Sequence, residues 1–371
     1  MHIGVPKEVK VNEFRVGLVP ASVSELIHHG HQVTVEHNAG FDIGFSDDDY
    51  RAAGAKVADD AETVFSTVDM IVKVKEPQPN ECKMLREGQI LFTYLHLAAD
   101  AAQTNALLKS GCIGIAYETV TDQLGRLPLL SPMSEVAGRM SVQAAAHCLE
   151  KSEGGSGMLL GGVPGVMPAH VVVIGGGVVG TNAIRMAMGM EANVTVLDRS
   201  LSRLKELDFQ FGSRINTIYS TRESLDEYVA DADVVIGAVL VPGAAAPRLV
   251  TREMLKKMRL GSVLVDVAID QGGCFETSRP TTHKEPTFVE EGVVHYCVTN
   301  MPGAVPRTST FALNNATLPY VIELANHGVK KTLLGNSHFL DGLNVCHGKL
   351  TNRPVAEALS LEYMDAKSAL Q

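Results

Sequence analysis

The glycine-rich run VVVIGGGVVG constrains the fold of this chain more than any other feature. Gly175, Gly177 and Gly180 form the pattern G-x-G-x-x-G directly after an apolar strand pattern and at the start of a helical pattern. Such glycines allow a tight turn, close approach of a pyrophosphate and close packing of helix on strand, and the helix N-terminus attracts negative charge. The bare motif is weak evidence, so its context decides what it predicts.

That context is a second strand pattern, NVTVLD, which follows the motif and ends in Asp198. An acidic residue at about this spacing accepts the ribose hydroxyls of a dinucleotide. The combination predicts a dinucleotide site, and NAD is favoured because a carboxylate repels the 2′-phosphate of NADP. Arg199 keeps NADP open as the alternative, because a guanidinium can accommodate that phosphate.

Short apolar runs alternate with helical patterns on both sides of the motif, which predicts β-α units around parallel sheets. Six strand patterns, from HVVVIG to VHYCV, match a dinucleotide-binding sheet. We therefore predict an α/β fold with two Rossmann-like, doubly wound parallel-sheet domains and a cleft between them. The expected division is a substrate domain of residues 1–128 and 307–371, and an NAD-binding domain of residues 129–306. The final segment is too short for a third domain and is expected to pack on the first.

Composition excludes several classes of protein. With 371 residues, 45% hydrophobic and 20% charged, the chain can bury two sizeable cores. The 32 basic residues are outnumbered by 42 acidic ones and form no run, so a nucleic-acid partner is not expected. The longest uncharged run, residues 234–247, is short and contains prolines, so no membrane span is expected.

Cellular location is predicted from the N-terminus and the cysteines. The start MHIGVPKEVK carries charges where a signal peptide needs an apolar stretch, which favours the cytoplasm. Six scattered cysteines without a C-x-x-C pair fit reduced thiols better than disulfides or a zinc site.

Polar residues at the carboxyl ends of the predicted strands are candidates for chemistry, because ligands of open parallel sheets bind there. They are Lys75, His96 and Glu118 in the first domain, and Asp270 and Asn300 in the second. We expect them to face the cleft between the domains. A lone His or Lys at a strand end is more often solvated or capping. Glu118 is the weaker candidate, because its role would be only to hold Lys75 or His96 in place.

Arg15 and two residues near the C-terminus complete the candidates. Arg15, in the loop NEFRVGLVP, is either a surface charge or a planar fork for a carboxylate. Glu323 and His327 are four apart in a helical pattern and share a face, where they predict either a divalent metal such as Mg²⁺ or, as the favoured alternative, a plain i,i+4 pair.

Several strings together carry a family resemblance: PKEVKVNEFRVGLVP, VKVKEP, ILFTYLHLA, SPMSEVAGRM, GGVPGV, VLVDVAIDQGGCFETSRPTTH and TNMPGAVPRTST. The chain resembles the L-alanine dehydrogenase family, which is itself similar to the NAD-binding component of proton-translocating transhydrogenases. The resemblance covers nearly the whole chain without a departure at the motif positions. It implies reversible, NAD-dependent oxidative deamination of L-alanine to pyruvate and ammonium by a homohexamer, with the cofactor domain inserted between two parts of the substrate domain.

The resemblance also implies roles for residues. It makes Arg15 and Lys75 the substrate anchors and His96 and Asp270 the acid-base pair. Besides the motif glycines and Asp198, it places these residues at the cofactor: Ser134, Val178, Val179, Arg203, Ser220, Val239, Leu240, Val267, Ala268, Ile269, Asp270, Arg279, Val298, Thr299, Asn300 and Met301. The intrinsic pKa of a histidine suits His96 to proton transfer near neutrality, and a Lys75 cation would stabilise a developing oxyanion.

Two alternatives remain open at this point. One is a dehydrogenase for a larger amino acid, similar to saccharopine dehydrogenase, because a sequence does not display pocket size. The other is a non-catalytic nucleotide-binding subunit akin to the transhydrogenase component, which would have no use for His96 and Asp270.

Overall fold

The computed structural model describes residues 1–239 and 246–371. Within these ranges the strands, in chain order, are β1 His2–Val5, β2 Gln32–Glu36, β3 Lys56–Ala58, β4 Met70–Val72, β5 Ile90–Thr93, β6 Ile113–Ala116, β7 His170–Ile174, β8 Asn193–Asp198, β9 Asn216–Tyr219, β10 Val234–Gly237, β11 Val263–Asp266, β12 Thr287–Glu290, β13 Val293–Tyr296, β14 Leu343–Cys346 and β15 Lys349–Leu350. The α-helices are α1 Pro20–His28, α2 Asp47–Ala52, α3 Ala61–Thr67, α4 Pro79–Met84, α5 Ala101–Ser110, α6 Ser131–Cys148, α7 Val178–Gly189, α8 Leu201–Phe211, α9 Arg222–Asp231, α10 Arg252–Leu255, α11 Pro306–His327, α12 Val329–Gly335, α13 Ser337–Leu340, α14 Arg353–Leu359 and α15 Ala366–Ala369.

These elements form two compact units. The first consists of Met1–Met133 and Val305–Gln371, and the second of Ser134–Ala304. The expected division lay at residues 128/129 and 306/307. In the structure the first crossing falls inside α6, because this helix continues from one unit into the other without a linker.

The first unit contains an eight-stranded sheet, in the described residues, with the order β15-β14-β6-β5-β4-β1-β2-β3. Strands β1 to β6 pair in parallel, while β14 pairs antiparallel with β6 and β15 antiparallel with β14. The C-terminal segment therefore returns to the sheet of the first unit as its edge.

The second unit contains a seven-stranded sheet, in the described residues, with the order β12-β13-β11-β10-β7-β8-β9. From β9 to β13 the order is that of a doubly wound dinucleotide-binding sheet, whose strand order reverses between β7 and β10. β7 is buried on both faces, because Val171 and Val173 pack in one hydrophobic core while Val172 and Ile174 pack in another. The prediction of an α/β fold with two mainly parallel sheets is thus confirmed.

The edge strand β12 was not among the predicted strands. It pairs antiparallel with β13 across a two-residue turn, Glu291-Gly292. Both turn residues have positive φ, 50° and 76°, which suits a tight hairpin of right-handed twist. The alternation of β12 is not visible in the sequence, because Glu290 ends the strand and Glu291 begins the turn.

The two sheets begin with the same arrangement of three side chains. In each, the first histidine donates its backbone N–H to an aspartate that precedes a neighbouring strand, at 2.8 and 2.9 Å. Its Nε2 contacts a threonine Oγ1 on the adjacent strand, again at 2.8 and 2.9 Å. The trios are His2, Asp69 and Thr34, and His170, Asp233 and Thr195. These contacts satisfy polar groups at the amino ends of both sheets, away from the edge that carries the candidate chemistry.

No helix in the described part of the chain is long and apolar enough to cross a lipid bilayer. The six cysteines are all buried and free.

Candidate functional site

Three predicted site residues follow the carboxyl ends of neighbouring parallel strands. Lys75 follows β4, His96 follows β5 and Glu118 follows β6, and these strands are adjacent in the first sheet. The strands end two or three residues earlier than expected, so the three side chains stand on the turns that leave the sheet. Because the carboxyl ends of parallel strands meet at one edge, the fold brings these polar groups to the same edge.

Arg15 lies in the loop after β1 and is paired with a residue that the sequence analysis did not select. The Glu13 carboxylate accepts hydrogen bonds from Arg15 Nε at 2.6 Å and from Arg15 Nη2 at 2.5 Å. Arg15 is only 2% exposed, so the alternative of an ordinary surface charge is wrong. Burial raises the pKa of the Glu13 carboxyl, but the hydrogen bonds and charge of Arg15 outweigh it and lower that pKa to about 2.

A second buried ionic group, formed by Lys73, Glu8 and Glu81, contacts the backbone at Lys75. Lys73 is 1% exposed, and its Nζ lies 3.0 Å from Glu8 Oε2 and 3.2 Å from Glu81 Oε1. Burial lowers the pKa of Lys73, but the two carboxylates reverse the direction and raise it. Glu8 Oε1 also accepts the backbone N–H groups of Val74 and Lys75, at 2.6 and 3.4 Å. The network therefore holds the backbone from which the Lys75 side chain departs.

His96 is exposed and has a left-handed backbone, with φ of 50°. Glu118 Oε1 accepts the His96 backbone N–H at 2.6 Å and lies 3.8 Å from His96 Nδ1. The same carboxylate accepts the N–H of Leu95. Glu118 thus holds the turn that presents His96, which agrees with the supporting role weighed for it from the sequence.

The glycine motif of the second unit has the geometry that close approach of a phosphate requires. Gly175 has φ of 97°, and a Cβ at this position would lie 2.8 Å from the Ala238 carbonyl oxygen of the loop after β10. A Cβ on Gly180 would lie 1.8 Å from the Gly175 carbonyl oxygen, whereas one on Gly177 would meet nothing within 4 Å. Two glycines are therefore required by packing, and Gly177 leaves open space at the N-terminus of α7, which begins at Val178. The residues fit a dinucleotide pyrophosphate at this point of strand-order reversal.

Asp198 ends β8 beside this turn, as expected. Its Oδ2 accepts the Gly176 N–H at 2.7 Å and its Oδ1 accepts the Ser200 N–H at 2.8 Å. Arg203 donates from Nε to the Gly176 carbonyl oxygen at 2.6 Å and from Nη2 to Thr181 Oγ1 at 2.6 Å. Asp198 and Arg203 therefore support the glycine turn directly, in addition to any contact with a bound nucleotide.

Asp270 does not end a strand, contrary to the sequence-based expectation. β11 ends at Asp266, and Asp270 is exposed on a short 3₁₀ helix, Val267–Gln271. The Asp266 carboxylate is buried and accepts the N–H groups of Ala268 and Cys274, at 3.0 and 2.9 Å, and the Ser278 hydroxyl at 2.5 Å. Burial raises the pKa of Asp266 in spite of these donors. Asp266, which was not among the residues predicted from the sequence, organises the loop that carries Asp270.

The other predicted cofactor residues of the second unit lie mostly after the carboxyl ends of strands. Ser220 follows β9, Val239 follows β10, Val267, Ala268 and Ile269 follow β11, Val298, Thr299, Asn300 and Met301 follow β13, Val178 and Val179 begin α7, and Ser134 lies in α6. Leu240 lies outside the described residues. Arg279 packs over the Phe288 ring, 4.2 Å from its centroid.

Glu323 and His327 share an exposed face of α11, as the spacing predicted. His327 Nε2 lies 3.7 Å from Glu323 Oε2. Across residues 1–239 and 246–371, no group of three or more His, Cys, Asp or Glu side chains has the arrangement of a metal site. The pair has the geometry of an i,i+4 contact, and Mg²⁺ at these residues stays a prediction.

Comparison with known proteins relates both units to one family. Residues 4–137 match the family described as alanine dehydrogenase/PNT, N-terminal domain, and residues 141–353 match its C-terminal domain. An alanine dehydrogenase of Halomonas elongata is 60% identical over 370 residues, which is 100% of each chain. A solved L-alanine dehydrogenase matches with a TM-score of 0.94 and 52% identity, over 97% of this chain and 99% of that chain.

A transhydrogenase of Sinorhizobium meliloti has a similar fold, with a TM-score of 0.83 and 25% identity, over 95% of this chain and 100% of that chain. The resemblance inferred from the sequence motifs is confirmed. By two domain matches that together span most of its length and by its full-length identity to a known member, the chain belongs to the alanine dehydrogenase/PNT family.

Proposed function

We propose that this protein is an NAD-dependent dehydrogenase that converts L-alanine and water reversibly to pyruvate and ammonium. The observation that carries the proposal is the 60% full-length identity to an alanine dehydrogenase. The polar groups at the carboxyl edge of the first sheet and the glycine turn of the second fit a small carboxylate substrate and a dinucleotide.

The second unit is proposed to bind NAD. Gly177 and the N-terminus of α7 would receive the pyrophosphate, and Asp198 the adenosine ribose hydroxyls. The residues that follow the ends of β10, β11 and β13, together with Ser134, Ser220 and Arg279, would line the remainder of the nucleotide. Bound NAD supplies the hydride acceptor.

Arg15 and Lys75 are proposed as substrate anchors. A guanidinium binds a carboxylate through parallel N–H groups, which gives orientation as well as attraction. The Lys75 ammonium would stabilise the negative charge that develops on the substrate oxygen during addition or loss of water. Lys75 already exerts charge at this place, because it lowers the pKa of Glu13 together with Arg15.

His96 and Asp270 are proposed as the acid-base pair. Loss of hydride from the α-carbon of alanine leaves an iminium, which water must attack before ammonia leaves. His96 would take the proton from the attacking water and return it to the leaving nitrogen, because histidine titrates near neutrality. Asp270 would orient the water or the ammonia. Both side chains are exposed in the structure of their own unit, so each can be reached by a substrate.

The similarity to a transhydrogenase favours a second candidate, a nucleotide-binding subunit without dehydrogenase chemistry. The two candidates predict opposite results for the purified chain. NADH formation with L-alanine, followed by absorbance, supports the dehydrogenase. NAD binding without L-alanine oxidation would support the alternative. A panel of larger amino acids in the same assay tests the remaining substrate question.

We also propose that the protein works in the cytoplasm as a homohexamer, on the support of the family resemblance. Light scattering coupled to size exclusion gives the mass of the assembly directly. A monomer of 39.7 kDa at working concentrations would contradict the hexamer.

A further inference from the structure

The Glu13 carboxylate holds both the backbone and the side chain of Arg15. Besides the bonds to Nε and Nη2, Glu13 Oε1 accepts the Arg15 backbone N–H at 3.1 Å. One carboxylate therefore fixes the start and the end of a long, flexible side chain. Both residues are buried, with Glu13 5% and Arg15 2% exposed, so water does not compete strongly for these bonds.

This arrangement directs one end of the guanidinium. Glu13 occupies the Nε and Nη2 edge, while Nη1 lies 3.1 Å from Met133 Sδ, a weak acceptor. Glu13 therefore fixes the plane of the guanidinium to which a substrate carboxylate would bind. A long arginine side chain loses rotamer entropy when it is fixed, and a side chain already ordered does not lose it when a ligand binds.

The charges around Arg15 give the pair a second property. Burial lowers the pKa of Arg15, but Glu13 offsets the charge of the guanidinium, and Tyr94 and Glu8 also act on Arg15 to raise its pKa. With its charge offset by Glu13, Arg15 would contribute direction to the binding of a substrate anion.

We propose that Glu13 is a positioning residue for the substrate carboxylate: it holds the Arg15 guanidinium in the orientation that binds the carboxylate of pyruvate or L-alanine. The inference rests on the proposed function and on the role of Arg15 as an anchor. It does not make Glu13 a catalytic residue, because Glu13 acts on the substrate through Arg15.

The first test compares three single variants by steady-state kinetics and thermal unfolding. Glu13→Gln keeps the size of the side chain but loses the paired acceptor oxygens, and we expect the KM for pyruvate to rise about 10-fold or more. The KM for NADH should stay near the wild-type value. Glu13→Asp keeps the charge but cannot reach as far, so its pyruvate KM should lie between those of wild type and Glu13→Gln.

Glu36→Gln is the matched control. Glu36, the last residue of β2, accepts the backbone N–H of Lys7 at 2.7 Å and so holds the start of the loop that carries Arg15. It should leave both KM values unchanged. A normal pyruvate KM in Glu13→Gln, with only a lower melting temperature, would show a purely structural role and overturn the proposal.

The second test removes the Arg15 guanidinium, which Glu13 binds. Arg15→Gln should raise the pyruvate KM, and adding Glu13→Gln to it should raise the KM no further, because nothing remains to be positioned. The double variant leaves no unpaired charge buried, so it remains informative if Glu13→Gln alone does not fold. A pyruvate KM in the double variant clearly above that of Arg15→Gln would overturn the proposal.

These outcomes separate the two levels of inference. Failure of the wild-type chain to oxidise L-alanine contradicts the proposed function. Normal alanine turnover with an unchanged pyruvate KM in Arg15→Gln contradicts the anchor role and, with it, the positioning role of Glu13.

Discussion

The rings of Tyr94 and His96 lie parallel, with an interplanar angle of 5° and centroids 5.8 Å apart. Tyr94 is 3% exposed, and its hydroxyl donates to the Leu129 carbonyl oxygen at 2.7 Å. The exposed His96 ring thus stacks on the buried Tyr94 ring, which is held by the backbone at one end and by its hydroxyl hydrogen bond at the other. Burial also raises the pKa of the Tyr94 hydroxyl, so this group remains a donor over the working pH range.

Tyr94 variants should separate the stack from the hydroxyl bond. Tyr94→Phe keeps the stack and leaves the Leu129 carbonyl without its donor, so we expect a loss of about 1–2 kcal/mol in stability and kcat near the wild-type value. Tyr94→Leu removes the stack, and kcat for L-alanine should fall about 10-fold with little change in the KM for NAD. The measurements are urea unfolding and initial rates. Equal kcat values in the two variants would show that the stack does not orient His96.

The acid-base pair can be tested by a double-mutant cycle. A positioned acid-base group contributes about 10²- to 10⁴-fold to rate, so His96→Ala and Asp270→Asn should each lower kcat on that order. NAD binding, measured by calorimetry, should remain near native because neither variant alters the glycine turn. The combined loss should be much smaller than the product of the single losses, since both groups serve the same transfer. Fully multiplicative losses would argue for separate roles.

Three glycine-to-alanine variants distinguish packing from cofactor approach. Gly180→Ala places a Cβ 1.8 Å from a carbonyl oxygen and should cost about 1–3 kcal/mol of stability. Gly177→Ala meets no atom within 4 Å, so we expect normal stability but NAD affinity lower by about 10-fold or more, because the added methyl group would meet the pyrophosphate. Gly189→Ala, also in open space at the far end of α7, is the control for both properties. Tight NAD binding by Gly177→Ala would place the pyrophosphate elsewhere.

The nucleotide preference should depend on Asp198. In Asp198→Ala the affinity for NAD should fall and the discrimination against NADP should weaken, because the repelling carboxylate is gone. The variant should also lose some stability, since Asp198 accepts the N–H groups of Gly176 and Ser200. Ratios of kcat/KM for NAD and NADP provide the measurement. If the wild-type chain already uses both cofactors equally, Asp198 does not select between them.

Acid stability should reveal the Glu13–Arg15 pair. The pKa of Glu13 is lowered from 4.5 to about 2, so its ionised form stabilises the fold above pH 4.5 by roughly 3 kcal/mol, and this contribution is lost as pH falls towards 2. The stability difference between wild type and Glu13→Gln, measured as urea midpoints, should therefore shrink as pH falls through this window. Burial raises the pKa of Glu36, so Glu36→Gln should show the opposite slope. A difference for Glu13→Gln that is independent of pH would mean that folding does not change the pKa of Glu13.

Local patterns in the sequence were sufficient for the class of fold and for one half of the candidate site. The alternation of apolar and helical runs predicted most of the parallel strands but not β3, β12, β14 or β15, because side-chain periodicity is clear only in longer buried strands. The pattern Gly175, Gly177, Gly180 predicted the turn after β7, because glycine is required wherever a Cβ would meet a neighbouring carbonyl. Asp198 was predicted as a site residue from its spacing along the chain after that turn. These features depend on neighbours along the chain.

The tertiary structure alone decided how the ionisable groups pair. Glu8 and Lys73 are 65 residues apart and meet because β1 and β4 lie side by side in the sheet. Glu13 and Arg15 are close neighbours in sequence, but their ion pair is strong because both residues are buried. Nothing in the pattern NEFR predicts that this loop lies inside the protein. Strand order and burial arise from packing across the whole unit. The sequence by itself therefore identified the groups that carry charge, and only the fold determined which of them are desolvated, paired and held in place for chemistry.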